Sequence, residues 1–170
     1  MILSHFQAAT GALLVETQEE NRFLQSSLNE LPDKATVRTV AAPAGQINSA
    51  KLNKDGLVEI APAGSQGLDS AYAWLASGPG NVLVVWDYHM LVNTPAHWRK
   101  LSDHLPMFRS PKGAIKGDAA SLAIFVGPSW DLQPVNPLRG ALPILRFDLP
   151  NREEIESVVN GIYELNGETD

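Results

Sequence analysis

Residues 11–22 read Gly-Ala-Leu-Leu-Val-Glu-Thr-Gln-Glu-Glu-Asn-Arg, and the fold is read outward from this stretch. Ala12–Val15 is apolar at every position. A short run of that kind is a strand covered on both faces, as in a parallel sheet with helices on each side. Val82–Trp86, Leu122–Val126 and the weaker Ile144–Phe147 have the same character. Thr36–Ala41 instead alternates and is rich in β-branched residues, which predicts a half-exposed edge strand.

Helical spacing fills the intervals. Leu24, Leu28 and Leu31 share one face, as do Leu68, Ala71, Tyr72 and Leu75, and then Trp98, Leu101 and Leu105. Ile155, Val158, Val159 and Ile162 form the clearest stripe. Thr17 with Glu20, and Asn151 with Glu154, have capping-box spacing, and Thr94–Pro95 places a cap residue before a first-turn proline. Strands alternating with helices predict a three-layer α/β sandwich with a mainly parallel, five-stranded sheet. Two stretches break the alternation: Ala42–Gly67, with a short hairpin at Asn53–Ile60 around Asp55–Gly56, and the loop Pro106–Ala119. Residues 1–165 read as one domain, and residues 166–170 as a polar tail or the start of a linker.

The bulk numbers exclude several functions. A chain of 170 residues buries roughly 70% of its unfolded surface, enough for a core. Its net charge of −6 argues against nucleic acid or an anionic membrane as partner. Cysteine is absent, which excludes disulfides, thiolate metal sites and cysteine nucleophiles. No basic leader precedes an apolar run, and no stretch has the ~20 apolar residues of a membrane span. The expected location is cytoplasmic.

The loop after the first strand of such a sheet is where nucleotide phosphates normally sit, on glycine N–H groups, a lysine and a helix N-terminus. Here the turn Glu16–Arg22 offers no glycine, no lysine and three carboxylates, Glu16, Glu19 and Glu20. Thr17 as the helix cap would occupy N–H groups a phosphate needs, and Glu19 and Glu20 would take the place of the anion at the helix dipole. The expectation is a lost phosphate site. Ser110–Gly117 has glycine and lysine, but in the wrong order and before a strand, so it reads as a surface loop or a basic partner contact.

Several motifs now resemble the AAA ATPases. Asn-Val-Leu-Val-Val-Trp-Asp at Asn81–Asp87 resembles that family's hydrophobic strand ending in the acid that holds magnesium, although Tyr88 follows where the family has a catalytic glutamate. Leu122–Val126 with Gly127–Pro134, and Pro143–Asn151 followed by Arg-Glu-Glu-Ile-Glu-Ser-Val-Val, are similar to the fourth strand and to the passage from the fifth strand into a helix. Val15–Arg22 is similar to the degenerate first module of two-module AAA ATPases of plastids, cyanobacteria and phages, in which such a turn replaces the phosphate loop. The resemblance implies a P-loop NTPase-like core without a phosphate loop, with the first strand between the fourth and fifth.

It also implies roles for single residues. Asp87 stands where a magnesium ligand would, or serves structurally at a strand end. Arg139 lies near the position of an arginine that reaches a neighbouring subunit's nucleotide, or is a surface arginine. Arg109, Lys112 and Lys116 are the basic interface candidates. His97 and His104 are two turns apart, too far for the usual zinc pair, so no metal or cofactor is expected. No Gly-x-Ser-x-Gly elbow marks a hydrolase. The function expected is a non-catalytic interaction or assembly domain. Its partner would be an AAA ATPase module in cis or in trans, with self-association a further option, and any ATPase activity would lie in that module. The alternative is a regulatory domain that senses ATP or ADP without hydrolysis, through Asp87.

Overall fold

In the computed structural model, residues 2–115, 120–153, 155–157 and 159–160 are described. The order is α1 (Ile2–Gln7), β1 (Ala12–Glu16), α2 (Glu20–Glu30), β2 (Thr36–Ala41), β3 (Gln46–Leu52), β4 (Val58–Gln66), α3 (Leu68–Leu75), β5 (Asn81–Trp86), a 3-10 turn at Tyr88–Met90, α4 (Pro95–Arg109), β6 (Leu122–Gly127) and β7 (Ile144–Arg146). These strands form one sheet in the order β4-β3-β2-β5-β6-β1-β7. Strands β2, β5, β6, β1 and β7 run parallel, and β3 and β4 add an antiparallel hairpin beside β2. The first strand lies between β6 and β7, the place expected for it.

Two apolar layers sandwich the sheet, as the unbroken apolar runs require. Leu14, Leu83, Val85 and Phe125 point toward α3 and α4, where Tyr72, Leu101 and Phe108 are fully buried. Leu13, Val15, Val82, Val84 and Ile124 point toward α1 and α2, against Phe6, Phe23 and Leu24. Each such side chain contributes roughly 1.5–3 kcal/mol when removed from water.

Among the described residues the sheet has seven strands where five were expected. Asn53 makes the difference: its side-chain oxygen accepts the N–H groups of Asp55 and Leu57, both at 2.9 Å, and closes a turn that joins strands far longer than the short hairpin expected around Asp55–Gly56. Thr36–Ala41 is consequently an interior strand, not an edge. Its polar Arg38 is accommodated there by stacking on Trp74, with the guanidinium carbon 4.4 Å from the ring centroid.

Helix α4 also runs on through Pro106, where the sequence predicts the start of a loop, and ends at Arg109. Proline removes one backbone hydrogen bond. The last turn is retained because Phe108 is completely buried and packs edge-on against Tyr72. Helix α1 has no counterpart among the sequence expectations; Ile2 and Phe6, one turn apart, bury its single apolar face.

Near the chain end, Ile155 donates its N–H to the Asn151 carbonyl and the described positions from 152 to 160 are helical. Val158 and Ile162 of the expected stripe, Glu154 of the second capping box, Lys116 and the tail 166–170 lie outside the described residues. No described helix is long and apolar enough to cross a membrane.

Candidate functional site

Parallel sheets present their ligand crevices at the carboxyl ends of the strands. Here a cavity of about 700 Å³ opens at the ends of β1 and β5, lined by Thr17, Glu19, Glu20, Arg22, Asp87 and His89 among others. The chain leaves β1 at Glu16, turns through residues 17–19 and enters α2, whose first turn forms one wall. The other wall is Asp87 and His89, just beyond β5, and Pro128 after β6 also lines the cavity.

The turn is not built as a capping box. The Thr17 hydroxyl accepts the N–H of Glu19 at 3.0 Å, a local turn bond, and the cap position falls to Glu19, whose side chain caps nothing. Thr17 therefore does not occupy the first-turn N–H groups of α2 as expected. The carboxylate of Glu19 instead accepts the Arg22 guanidinium at 2.5 Å. Arg22 also donates to the backbone carbonyl of Asp148 and lies over the Phe147 ring, 4.3 Å from its centroid, so it ties α2 to the segment after β7. Glu16 lies outside the cavity lining and faces Arg146 of β7 at 4.0 Å.

The opposing wall carries the strain. Asp87 has a left-handed backbone, φ 62°, which favours glycine over residues with a Cβ. Its side chain is exposed, while the next residue turns inward: Tyr88 is fully buried and its hydroxyl donates to the His97 carbonyl at 3.1 Å. Burial holds that phenol well above its ordinary range. Tyr88 is thus a core anchor that does not reach the cavity.

His89 lies against the Gly127 backbone so closely that a Cβ there would come within 2.9 Å of its ring. Its Nδ1 is buried and has no hydrogen-bond partner among the described residues. Trp130 donates its indole N–H to the Val15 carbonyl at 2.9 Å and so seals the end of β1 beside His89. Glu20 is raised above the usual carboxylate range, first by partial burial and then by the negative charge of Asp87, with His89 acting in the opposite direction.

The remaining candidates are scattered. Arg109 and Lys112 sit at the opposite ends of the strands. Arg109 donates to the Thr10 carbonyl at 3.1 Å, and the backbone N–H of Lys112 to the Ala76 carbonyl at 3.0 Å. Arg139 is exposed in the loop between β6 and β7 and is not among the cavity residues. No group of three or more potential metal ligands occurs among the described residues. His97 and His104 are separate: His104 Nδ1 lies 2.7 Å from the Lys100 carbonyl, within its own helix.

Of the sequence candidates, Thr17, Glu19, Glu20 and Asp87 line this cavity; Arg22, read from the sequence only as part of the Val15–Arg22 motif, and His89, to which it gave no role, join them. The i, i+3 spacing of Glu19 and Arg22 was a signal for Arg22. For His89 there was none, since its position depends on the tight approach to Gly127. No protein-family model, no curated protein and no solved structure matches the chain.

Proposed function

We propose that the chain is a non-catalytic interaction or assembly module, an AAA-like α/β core whose nucleotide crevice no longer takes phosphate. The observation that carries the reading is the composition of the cavity at the ends of β1 and β5. Glu19, Glu20 and Asp87 line it, and its arginine is engaged by Glu19 and the Asp148 carbonyl. A triphosphate entering there meets carboxylates with no lysine among the lining residues to offset them. Burial and Asp87 already raise Glu20, and further negative charge at a few ångströms adds repulsion of about a kcal/mol or more per pair, depending on solvent access.

The strand order, with β1 between β6 and β7, supports an AAA-like core. The inward turn of Tyr88 supports the absence of catalysis, because the residue after the strand-end acid cannot activate water in the crevice. In this reading the retained fold serves as a surface for a protein partner, an AAA ATPase module among the candidates.

A second reading, a nucleotide sensor without hydrolysis, has one observation in its favour. The first turn of α2 lines an open cavity and the Glu19 side chain does not cap it, so helix-end donors remain a feature of the crevice. Calorimetric titration with ATP and ADP, with and without magnesium, separates the two. The assembly reading expects no saturable heat at millimolar nucleotide. Saturable binding that Asp87→Ala weakens would replace it with the sensor.

A further inference from the structure

The outermost strand, β4, is nine residues long and pairs on one side only among the described residues. Which of its backbone groups face outward follows from the ladder. Asn53 donates its N–H to the Leu57 carbonyl at 2.9 Å, and the register continues unbroken through Leu52↔Val58, Lys51↔Glu59, Ala50↔Ile60, Ser49↔Ala61 and Asn48↔Pro62. Antiparallel pairs alternate between bonded and non-bonded. Glu59 and Ala61 therefore bond inward to β3, and the Ser49 hydroxyl, which donates to the Ala61 carbonyl at 3.2 Å, agrees with that. The N–H and C=O groups of Val58 and Ile60, and the C=O of Pro62, point out of the sheet. Pro62 stands where no inward donor is needed, the place an edge strand tolerates proline.

We infer that β4 pairs with β4 of a second copy of this chain, antiparallel about a twofold axis at Ile60, joining the two sheets into one. Self-complementarity argues for this occupant. With Ile60 opposite its own counterpart, each Ile60 N–H meets the other's carbonyl, and each Val58 N–H meets the carbonyl of the opposing Pro62. Every outward donor from Val58 to Pro62 is used, and the missing proline N–H falls where it leaves no donor stranded. Directly opposed side chains lie on the same face, so Val58, Ile60 and Pro62 of both copies form one apolar patch. Ile60, 52% exposed in the single chain, is at its centre. That patch continues the layer in which Ala50 is buried and Val58 partly packed.

The one charge on the strand does not oppose itself. Glu59 faces Ala61 of the other copy, on the opposite face, and is held 3.4 Å from Lys51 of its own hairpin. Gly64, with φ 85°, departs from extended backbone within β4 but beyond the Val58–Pro62 stretch that pairs in this arrangement. A hydrophobic edge carrying one carboxylate is a pairing template unless covered, and in the register about Ile60 the proline leaves no donor unpaired. The inference stands apart from the crevice, since nucleotide binding or its absence leaves β4 unchanged.

Sedimentation of the full chain over a wide concentration series, with cysteine variants in this cysteine-free sequence, tests it. The expected result is a monomer–dimer equilibrium that Ile60→Lys weakens at least about tenfold, by setting like charges opposite each other. Ile60→Cys should form an intermolecular disulfide, because paired Cα atoms about 5.5 Å apart are within bridging distance. Glu59→Cys and Ala61→Cys should cross-link as a mixture and not separately. A chain that stays monomeric overturns the proposal. So does a dimer in which the Ile60→Cys variant stays uncross-linked, whatever Ile60→Lys does to folding.

Discussion

At the amino ends of the parallel strands, polar groups meet partners within the chain. Arg109 reaches the Thr10 carbonyl, Ser121 donates its hydroxyl to the Gly78 carbonyl at 2.8 Å, and Thr36 donates its N–H to the Gly80 carbonyl at 3.1 Å. At the carboxyl ends the same sheet leaves a cavity, a left-handed Asp87 and a Glu20 raised by its surroundings. A buried His89 nitrogen there has no partner among the described residues. Pairing of polar groups at the closed, amino end favours stability, whereas the like charges at the open, carboxyl end oppose it. Left-handed backbone occurs at both ends, at Ala9 with φ 53° just before β1 and at Asp87 with φ 62° after β5; what sets the carboxyl end apart is the cavity and the like charges of Glu20 and Asp87 beside it. The two ends should therefore answer substitution with opposite signs.

The largest effect belongs to the closed end. Gly11 has φ 82°, and a Cβ there would lie 2.8 Å from Arg109 Cγ. Gly11→Ala adds left-handed strain and displaces the arginine that spans to Thr10, so unfolding by denaturant should show a loss of about 2–3 kcal/mol. An unchanged midpoint would mean that this end is as loosely determined as the other, and the contrast would fail.

The contrast also explains what could be read without the structure. The parallel core was legible because Leu13, Leu14, Val84 and Ile124 lie in short unbroken apolar runs separated by stretches of helical spacing, a combination that points to strands covered on both faces. Of the hairpin, the turn around Asp55–Gly56 was legible and the length of its strands was not. Gln46–Leu52 and Val58–Gln66 mix small and polar residues, and their pairing depends on the Asn53 side chain and on proximity to β2, which is a long-range fact. At the crevice, the carboxylates of Glu19, Glu20 and Asp87 were visible as chemistry. Their arrangement was not: spacing suggested Thr17 as the cap, yet its hydroxyl is taken up by a local turn. A capping box and a turn of this kind place the same residues within hydrogen-bond reach, and only the backbone torsion at Glu19 chooses between them.

At the open end, Asp87→Gly should stabilise. Glycine adopts the left-handed backbone without the Cβ penalty, and the substitution also removes a charge facing Glu20. The expected gain is about 0.5–1 kcal/mol, reduced by the added freedom of the unfolded chain. A loss of similar size would show that the aspartate contributes to the fold, and the open end would no longer differ in kind.

The smallest effect is the most specific, because its size depends on pH. Glu20 is raised above its ordinary 4.5 by partial burial and by Asp87. A carboxylate raised in the folded state binds its proton more tightly there than in the unfolded chain. Its favourable contribution is therefore complete below the unfolded value and is lost as pH rises through the folded one. Glu20→Gln, which keeps the shape and removes the charge, should stabilise the protein at neutral pH and lose that advantage near pH 4 and below. Paired denaturant titrations of the two proteins across that range measure it. A gain that did not vary with pH would trace to the helix terminus instead of the Glu20–Asp87 repulsion. A loss at neutral pH would mean that the carboxylate is held by something inside the cavity, and the crevice would be better described as occupied by its own side chains than as open.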